Sequence, residues 1–400
     1  MSSSMMSPAS PARVSQSLIL LLSVATGLAV STIYLLQPLL QTVAQALGIA
    51  TQDVGLIVTL TQIGYGLGIL FLIPLGDVLP KKTLILTKFG LLILGLVLTA
   101  LSGSFVAILE ASLVVGIFAT TAQDIVPFSA DLAAEKDRGV IVGKVMSGLL
   151  LGILLSRTAS GFIADLLGWR AVFWVTGALI LIIMIVIALS VKVTTTPSKI
   201  PYRQLLKSTL QNFVTYPELR RAMIVQGLLG VSFSAFWTNL SFYVSQPPFE
   251  MSTSKIGLFG LAGAAGALAA PLAGRLSDKK GPQLGIFLGA ALVLISFIAM
   301  GLVPNSAFIL FAGAIVFDLG VQMALVSHQS IIYALNPAAR ARLNALFVSF
   351  MFAAFALGSY VSVRLFAAGG WMYVIGLCVA CSLGSAALAI LSSRKTGLKV

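Results

Sequence analysis

The chain has 400 residues, of which 58% are hydrophobic and only 9% charged, and its mean hydropathy is +1.04. Soluble domains carry about 25% charged residues, so the composition excludes a soluble enzyme or binding domain and points to an integral membrane protein. The formal net charge of +13 does not indicate nucleic acid as a partner. Its basic residues lie in short groups between apolar runs, as in loops on the cytoplasmic side of a membrane.

The first stretch, "MSSSMMSPASPARVSQS", is polar and runs into an apolar segment too long for the core of a cleavable signal. A spanning helix needs about 20 mainly apolar residues. Twelve segments meet that need, near residues 17–38, 55–75, 83–102, 104–124, 141–163, 168–192, 220–245, 256–275, 283–303, 306–330, 342–365 and 370–391. The fold expected is all-α, since lipid offers no partner to an open strand edge. With both termini cytoplasmic, every Lys and Arg except Arg157, Arg170, Lys255 and Arg364 falls on the inner side, a strong positive-inside pattern. Lys88 is counted there as a loop-proximal charge. The longest polar connection, within 193–219, divides the chain into segments 17–192 and 220–391, with short tails at 1–16 and 392–400. Cys378 and Cys381 form a C-x-x-C pair inside an apolar run and read as small core residues.

The two halves echo each other. "PLGDVLPKKTL" follows the second span and "AGRLSDKKGPQ" the eighth; "EKDRGVIVGKV" follows the fourth and "PAARARLNALF" the tenth. Six spans repeated in one orientation suggest two bundles related by a pseudo-two-fold axis along the membrane normal, with a solute path between them.

Several polar groups sit where they are expensive. Arg157, in "GILLSRTASG", lies deep in the fifth span, where an arginine costs roughly 2.5–3.5 kcal/mol on insertion scales. It suits anchoring a carboxylate, a phosphate or another solute oxygen, or alternatively a salt bridge that pins the span to a neighbour. Asp318 lies mid-way along the tenth span. A carboxylate in low dielectric favours its neutral form, which makes Asp318 a proton-coupling candidate, the alternative being a helix-packing hydrogen bond. Gln322 is one turn on. Glu110 is either a second proton site or a carboxylate in the outer headgroups; Asp124 is a further proton candidate that could instead reach the cytoplasm. His328 reads as interfacial. Tyr34, Gln37, Trp237, Asn239 and Asn344 are candidate cavity residues, since an aromatic beside amides can hold a small polar or amphipathic molecule. The eighth span carries a stripe of Gly257, Gly260, Gly263, Ala264, Gly266, Ala267 and Gly274, which permits close helix approach.

The acidic-then-basic loop in each half, the twelve spans and the long middle connection resemble the major facilitator superfamily of secondary transporters. The family's loop signature is Gly-x-x-x-Asp-(Arg/Lys)-x-Gly-(Arg/Lys)-(Arg/Lys). The second copy keeps Gly274, Asp278, Lys279 and Gly281 but has Pro282 and Gln283; the first keeps Asp77, Lys81 and Lys82, with Ile73 and Pro80 in the glycine places. Stretches such as "ATGLAVSTIYLLQPLL", "GLLLGILLSRTASGFIADLLGWRAVFWV", "FWTNLSFYV" and "FDLGVQMALVSHQSIIYALNPAARARLN" are similar to the bacterial drug-efflux and arabinose-efflux-like branch. Ser112 stands where that branch often has an arginine, and the fifth span lacks a Gly-Pro pair. The resemblance implies alternating access by a monomer in the bacterial inner membrane, moving a small organic solute outward against protons and needing no cofactor or metal. A passive facilitator with a permanent Arg157–Asp318 pair, or an importer, is the alternative. It also implies a cytoplasmic gate built from Asp77, Lys81, Lys82, Gly274, Asp278 and Lys279, with anionic lipid as a partner for the lysines.

Overall fold

The structure is a computed structural model and describes residues 15–191, 201–263 and 281–395. Among these residues there is no strand. Among the described residues, nine helices are long and apolar enough to cross a membrane, and Gln16–Ser31 is a shorter apolar one. The expected span 256–275, and with it Gly274, Asp278 and Lys279, lies mostly outside the described residues.

The first apolar stretch is not one helix. α1 (Gln16–Ser31) is capped by the Ser15 hydroxyl, which accepts from the Leu18 N–H at 3.2 Å. It ends in turns, a 3₁₀ segment follows at Gln37–Leu39, and α2 (Leu40–Leu47) resumes. Pro38 stands at the start of the 3₁₀ segment, where it cannot donate to a continuing helix. The hydroxyls of Ser31 and Thr32 donate to the Leu28 and Ala29 carbonyls, easing the loss of regular bonding. Tyr34 and Gln37 sit on this break.

The remaining order is α3 (Thr51–Leu72), α4 (Leu75–Val78), α5 (Lys81–Leu101), α6 (Phe105–Ala119), α7 (Thr121–Leu132), α8 (Arg138–Leu167), α9 (Trp169–Ser190), α10 (Tyr202–Thr215), α11 (Pro217–Val244), α12 (Thr253–Leu258), α13 (Pro282–Leu302), α14 (Ala307–Leu335) and α15 (Arg340–Lys395). α6 and α7 together prolong the expected fourth span to Leu132. α15 contains two helices meeting at Gly369 and Gly370, whose backbone is non-helical. Gly370 takes φ +67° there, a conformation open to glycine at little cost. α10 lies in the connection read as polar loop.

Within the first part of the chain α1 packs on α8, and α5 on α6 and α9. The backbones of α1 and α8 touch: a Cβ on Gly152 would stand 2.2 Å from the Gly27 carbonyl oxygen, and one on Gly148 2.3 Å from that of Ser23. Within the second part α11 packs on α15, and α13 on α14. Two seams join the parts, α3 against α15 and α8 against α12. The site lies beside the second seam.

Candidate functional site

Arg157 is the centre of the site. It lies deep in α8 and is 3% exposed. Its guanidinium carbon lies over two aromatic rings, 4.5 Å from the centre of Tyr34 and 4.1 Å from that of Trp237. Stacking of this kind is attractive, and more so when desolvated. Its Nε donates to Gln37 Oε1 at 2.7 Å. Nη2 has no hydrogen-bond partner among the described residues, and neither does Gln37 Nε2.

Trp237 connects this group to the acid. Its indole N–H donates to Asp318 Oδ1 at 3.4 Å, and Asp318 is 5% exposed on α14. No Arg157–Asp318 ion pair within 4.0 Å exists among the described residues, where the ion pairs are Lys81–Asp131 and Lys88–Asp124. Trp237 touches both charged groups. The permanent pair of the facilitator alternative is therefore not present in this structure.

Glycines let the backbones meet around Arg157. A Cβ on Gly257 would stand 2.6 Å from the Arg157 carbonyl oxygen, one on Gly260 2.9 Å from the Arg157 Cβ, and one on Gly263 3.4 Å from Asp318 Oδ2. Thr158 adds a hydrogen bond across the seam, donating to the Gly257 carbonyl at 2.9 Å. The site thus draws Arg157 from α8, Tyr34 and Gln37 from the break after α1, Trp237 from α11 and Asp318 from α14.

Other candidates lie elsewhere. Asn239 is buried but faces away, donating to Ser362 Oγ at 2.8 Å. It belongs to a second polar patch at the α3–α11–α15 contact, where Gln62 Nε2 donates to Ser234 Oγ at 3.0 Å and the Thr59 and Ser359 hydroxyls are 2.6 Å apart. Single Ser, Thr and Gln residues in apolar helices give no signal by which these could be found. Asn344 is at the end of the molecule rich in Lys and Arg, accepting from Gln329 Nε2 at 3.1 Å. Gln322 is half-buried one turn from Asp318. Glu110 is exposed in the second turn of α6, at the helix end opposite the basic one. Asp124 is not at a surface: it is buried and bonded to Lys88, which is 2% exposed on α5. Lys88 is accordingly a core residue and not a loop charge. His328 is buried and stacked 6.1 Å from the Phe347 ring, and it lines a small cavity with Glu218, Arg221 and Gln283.

The gate candidates separate as well. Asp77 is exposed and lines a cavity of about 130 Å³ at the basic end, together with Lys81, Asp124, Leu205 and Arg342. Lys81 pairs with Asp131 at 2.5 Å. Lys82 turns away and donates to the Ala188 and Val191 carbonyls at 2.8 and 2.6 Å, capping the end of α9, where a cation also meets the negative end of the helix dipole. A latch that the residue pattern did not reveal closes the opposite end: Asp165 of α8 accepts from the Thr253 hydroxyl and, at 2.8 Å, from the Ser254 N–H at the start of α12.

A model of the Major Facilitator Superfamily matches residues 22–312. The chain is a member of that superfamily. It is 40% identical over 367 residues to the transporter YgaY of Escherichia coli O157:H7, covering 92% of each chain. It is 28% identical to the probable transporter SCO4007 of Streptomyces coelicolor, covering 88% of this chain and 82% of that one. Its fold matches a bacterial homologue of the human lysosomal transporter Spinster in an inward-facing, occupied conformation, with TM-score 0.75, 17% identity and 94% and 96% of the two chains covered. It also matches a POT family transporter in complex with 5-aminolevulinic acid, with TM-score 0.75 and 14% identity over 96% and 97%. This superfamily member is a multi-pass membrane transporter and not an enzyme.

Proposed function

We propose that the protein is a secondary active transporter of a small organic solute, with Arg157 anchoring the solute and Asp318 carrying a proton. The observation that carries this reading is the position of the two charges. Both are buried in mid-helix, on different parts of the chain, beside the α8–α12 seam, and Trp237 touches both. A structural ion pair would bring the charges into contact, as Lys88 and Asp124 do. Charges held inside the membrane without a direct partner fit a solute or ion path.

In this reading the chain forms twelve crossings in two six-helix bundles, 17–192 and 220–391, joined by the 193–219 linker. It works as a monomer in a bacterial inner membrane with both ends cytoplasmic. The bundles rock about the site, and Asp77 with Lys81 guards the cytoplasmic end. Export in exchange for protons, the sense favoured by the resemblance to efflux proteins, requires solute and proton to exclude one another at the site; cotransport requires them to bind together.

The test is solute-linked proton movement in everted vesicles, comparing the wild type with D318N. Loss of proton coupling in D318N with solute binding retained supports the reading. A D318N protein that still couples solute to protons removes Asp318 from it, and a wild type that moves solute with no linked proton flux leaves a facilitator.

A further inference from the structure

Resting on that reading, we infer that the solute is a small organic anion, that its carboxylate is received at Arg157 Nη2 with Gln37 Nε2 as the second free donor, and that it binds together with the proton. The guanidinium keeps its charge. The Tyr34 and Trp237 ring centres lie 4.5 and 4.1 Å from its central carbon, and a hydrogen-bonding ligand meets it in the plane of its N–H groups. Nε donates to a neutral acceptor, Gln37 Oε1, at 2.7 Å. The neighbouring Nη2 and the Gln37 Nε2 are both buried and have no partner among the described residues. A buried donor without an acceptor costs about 1–3 kcal/mol, and here two of them belong to directly bonded residues. A carboxylate has an oxygen to offer each of these two donors, and its bond to the guanidinium is charge-assisted.

Charge selects the class. A cationic solute would have to approach Arg157 against repulsion and would contend with the proton for Asp318. A neutral solute would leave the guanidinium uncompensated. An anion compensates it, and Asp318 opposes that anion only while ionised. Neutralising Asp318 therefore tightens anion binding, and by linkage the bound anion favours the proton on Asp318 to the same degree. Proton and solute then travel together, which reverses the exchange expected from the efflux resemblance.

The groups that face Asp318 are few. Among the described residues, the charged or titratable ones are Arg157 on α8 and Tyr34 after α1. α11 presents Trp237 and the segment after α12 presents Gly263. α13, packed along α14, contains no ionisable side chain, and none of the ionisable side chains of α15, which also packs on α14, acts on Asp318. The pH dependence of anion binding should thus follow one group.

The experiment uses the purified full chain in lipid nanodiscs, with acetate, lactate and benzoate as probes, each beside its amide and the matching amine. Binding is read by tryptophan fluorescence, since Trp237 touches the guanidinium, and by melting temperature. At pH values well above the ordinary carboxylate range, where the probes stay ionised, carboxylates are expected to bind, more tightly as the pH is lowered, while amides and amines do not. R157Q should weaken binding about tenfold or more. R157K keeps the charge without the fork and should fall between, which also controls for a folding defect in R157Q. D318N should bind with the affinity the wild type has at the lowest of these pH values, at every one of them. Amides or amines binding as well as carboxylates, no carboxylate binding at all, unchanged binding by R157Q, or binding that tightens in alkali would each overturn the proposal. If a neutral or cationic probe binds and its transport still loses proton coupling in D318N, the transport reading stands and the anion class alone is lost.

Discussion

Lys88 and Asp124 form an ion pair inside the protein. Lys88 stands eight residues into α5, within reach of the surface by length alone, yet it is buried. Its acidic partner is on another helix, and no local spacing joins them. Two charges buried this deeply depend on each other, because removing one leaves the other uncompensated. K88M or D124N alone should cost about 3–5 kcal/mol, and the double variant much less than the sum. Denaturant unfolding in detergent would measure the cycle, and additive losses would mean that the pair does not act as a unit. At the site, Arg157, Asp318, Tyr34, Gln37 and Trp237 were legible one by one, from the cost of placing charge in a span and from aromatic–amide company. Asn239 and Asn344 were not separable from them. α11 is buried on nearly all sides, 89% of its most apolar window, so no polar face shows which way a residue points.

At the scale of elements, the apolar runs located most helices, because the thickness of the hydrocarbon layer sets their length. The gap expected between 365 and 370 is the break at Gly369 and Gly370. The break after Ser31 was invisible, since Thr32–Leu36 is as apolar as a continuing helix and Pro38 alone could have marked it. The glycine stripe of the eighth span was read as permitting close packing, and its described part does place α12 against α8. Gly257 is the tightest point of that contact with Arg157. G257V drives a branched side chain into the Arg157 carbonyl, and overpacking of this kind costs about 1–3 kcal/mol or more. The expected result is a protein that still inserts but transports at least tenfold more slowly, with altered Trp237 fluorescence. Transport at the wild-type rate in vesicles containing equal amounts of protein would show that the contact has no role in positioning Arg157.

At the scale of the molecule, the two parts of the chain are tied at both ends. At one end Asp165 holds the first turn of α12; at the other, α10 spans the parts. D165A removes the acceptor of both bonds and should shift the population several-fold toward a form open at that end. Spin labels at exposed positions Leu166 and Lys255 would report this as a longer distance, and an unchanged distance distribution would count against a latch. The basic end is held differently. Tyr202 of α10 donates to the Phe71 carbonyl at the end of α3 at 2.7 Å, and Arg342 of α15 donates to Ser208 of α10 at 2.9 Å. α10 is thus a brace pinned to both walls, and any widening there must detach one pin before the other. The side that holds longer will carry α10 along with it, so a short amphipathic helix in a connector would determine which wall moves as the freer body.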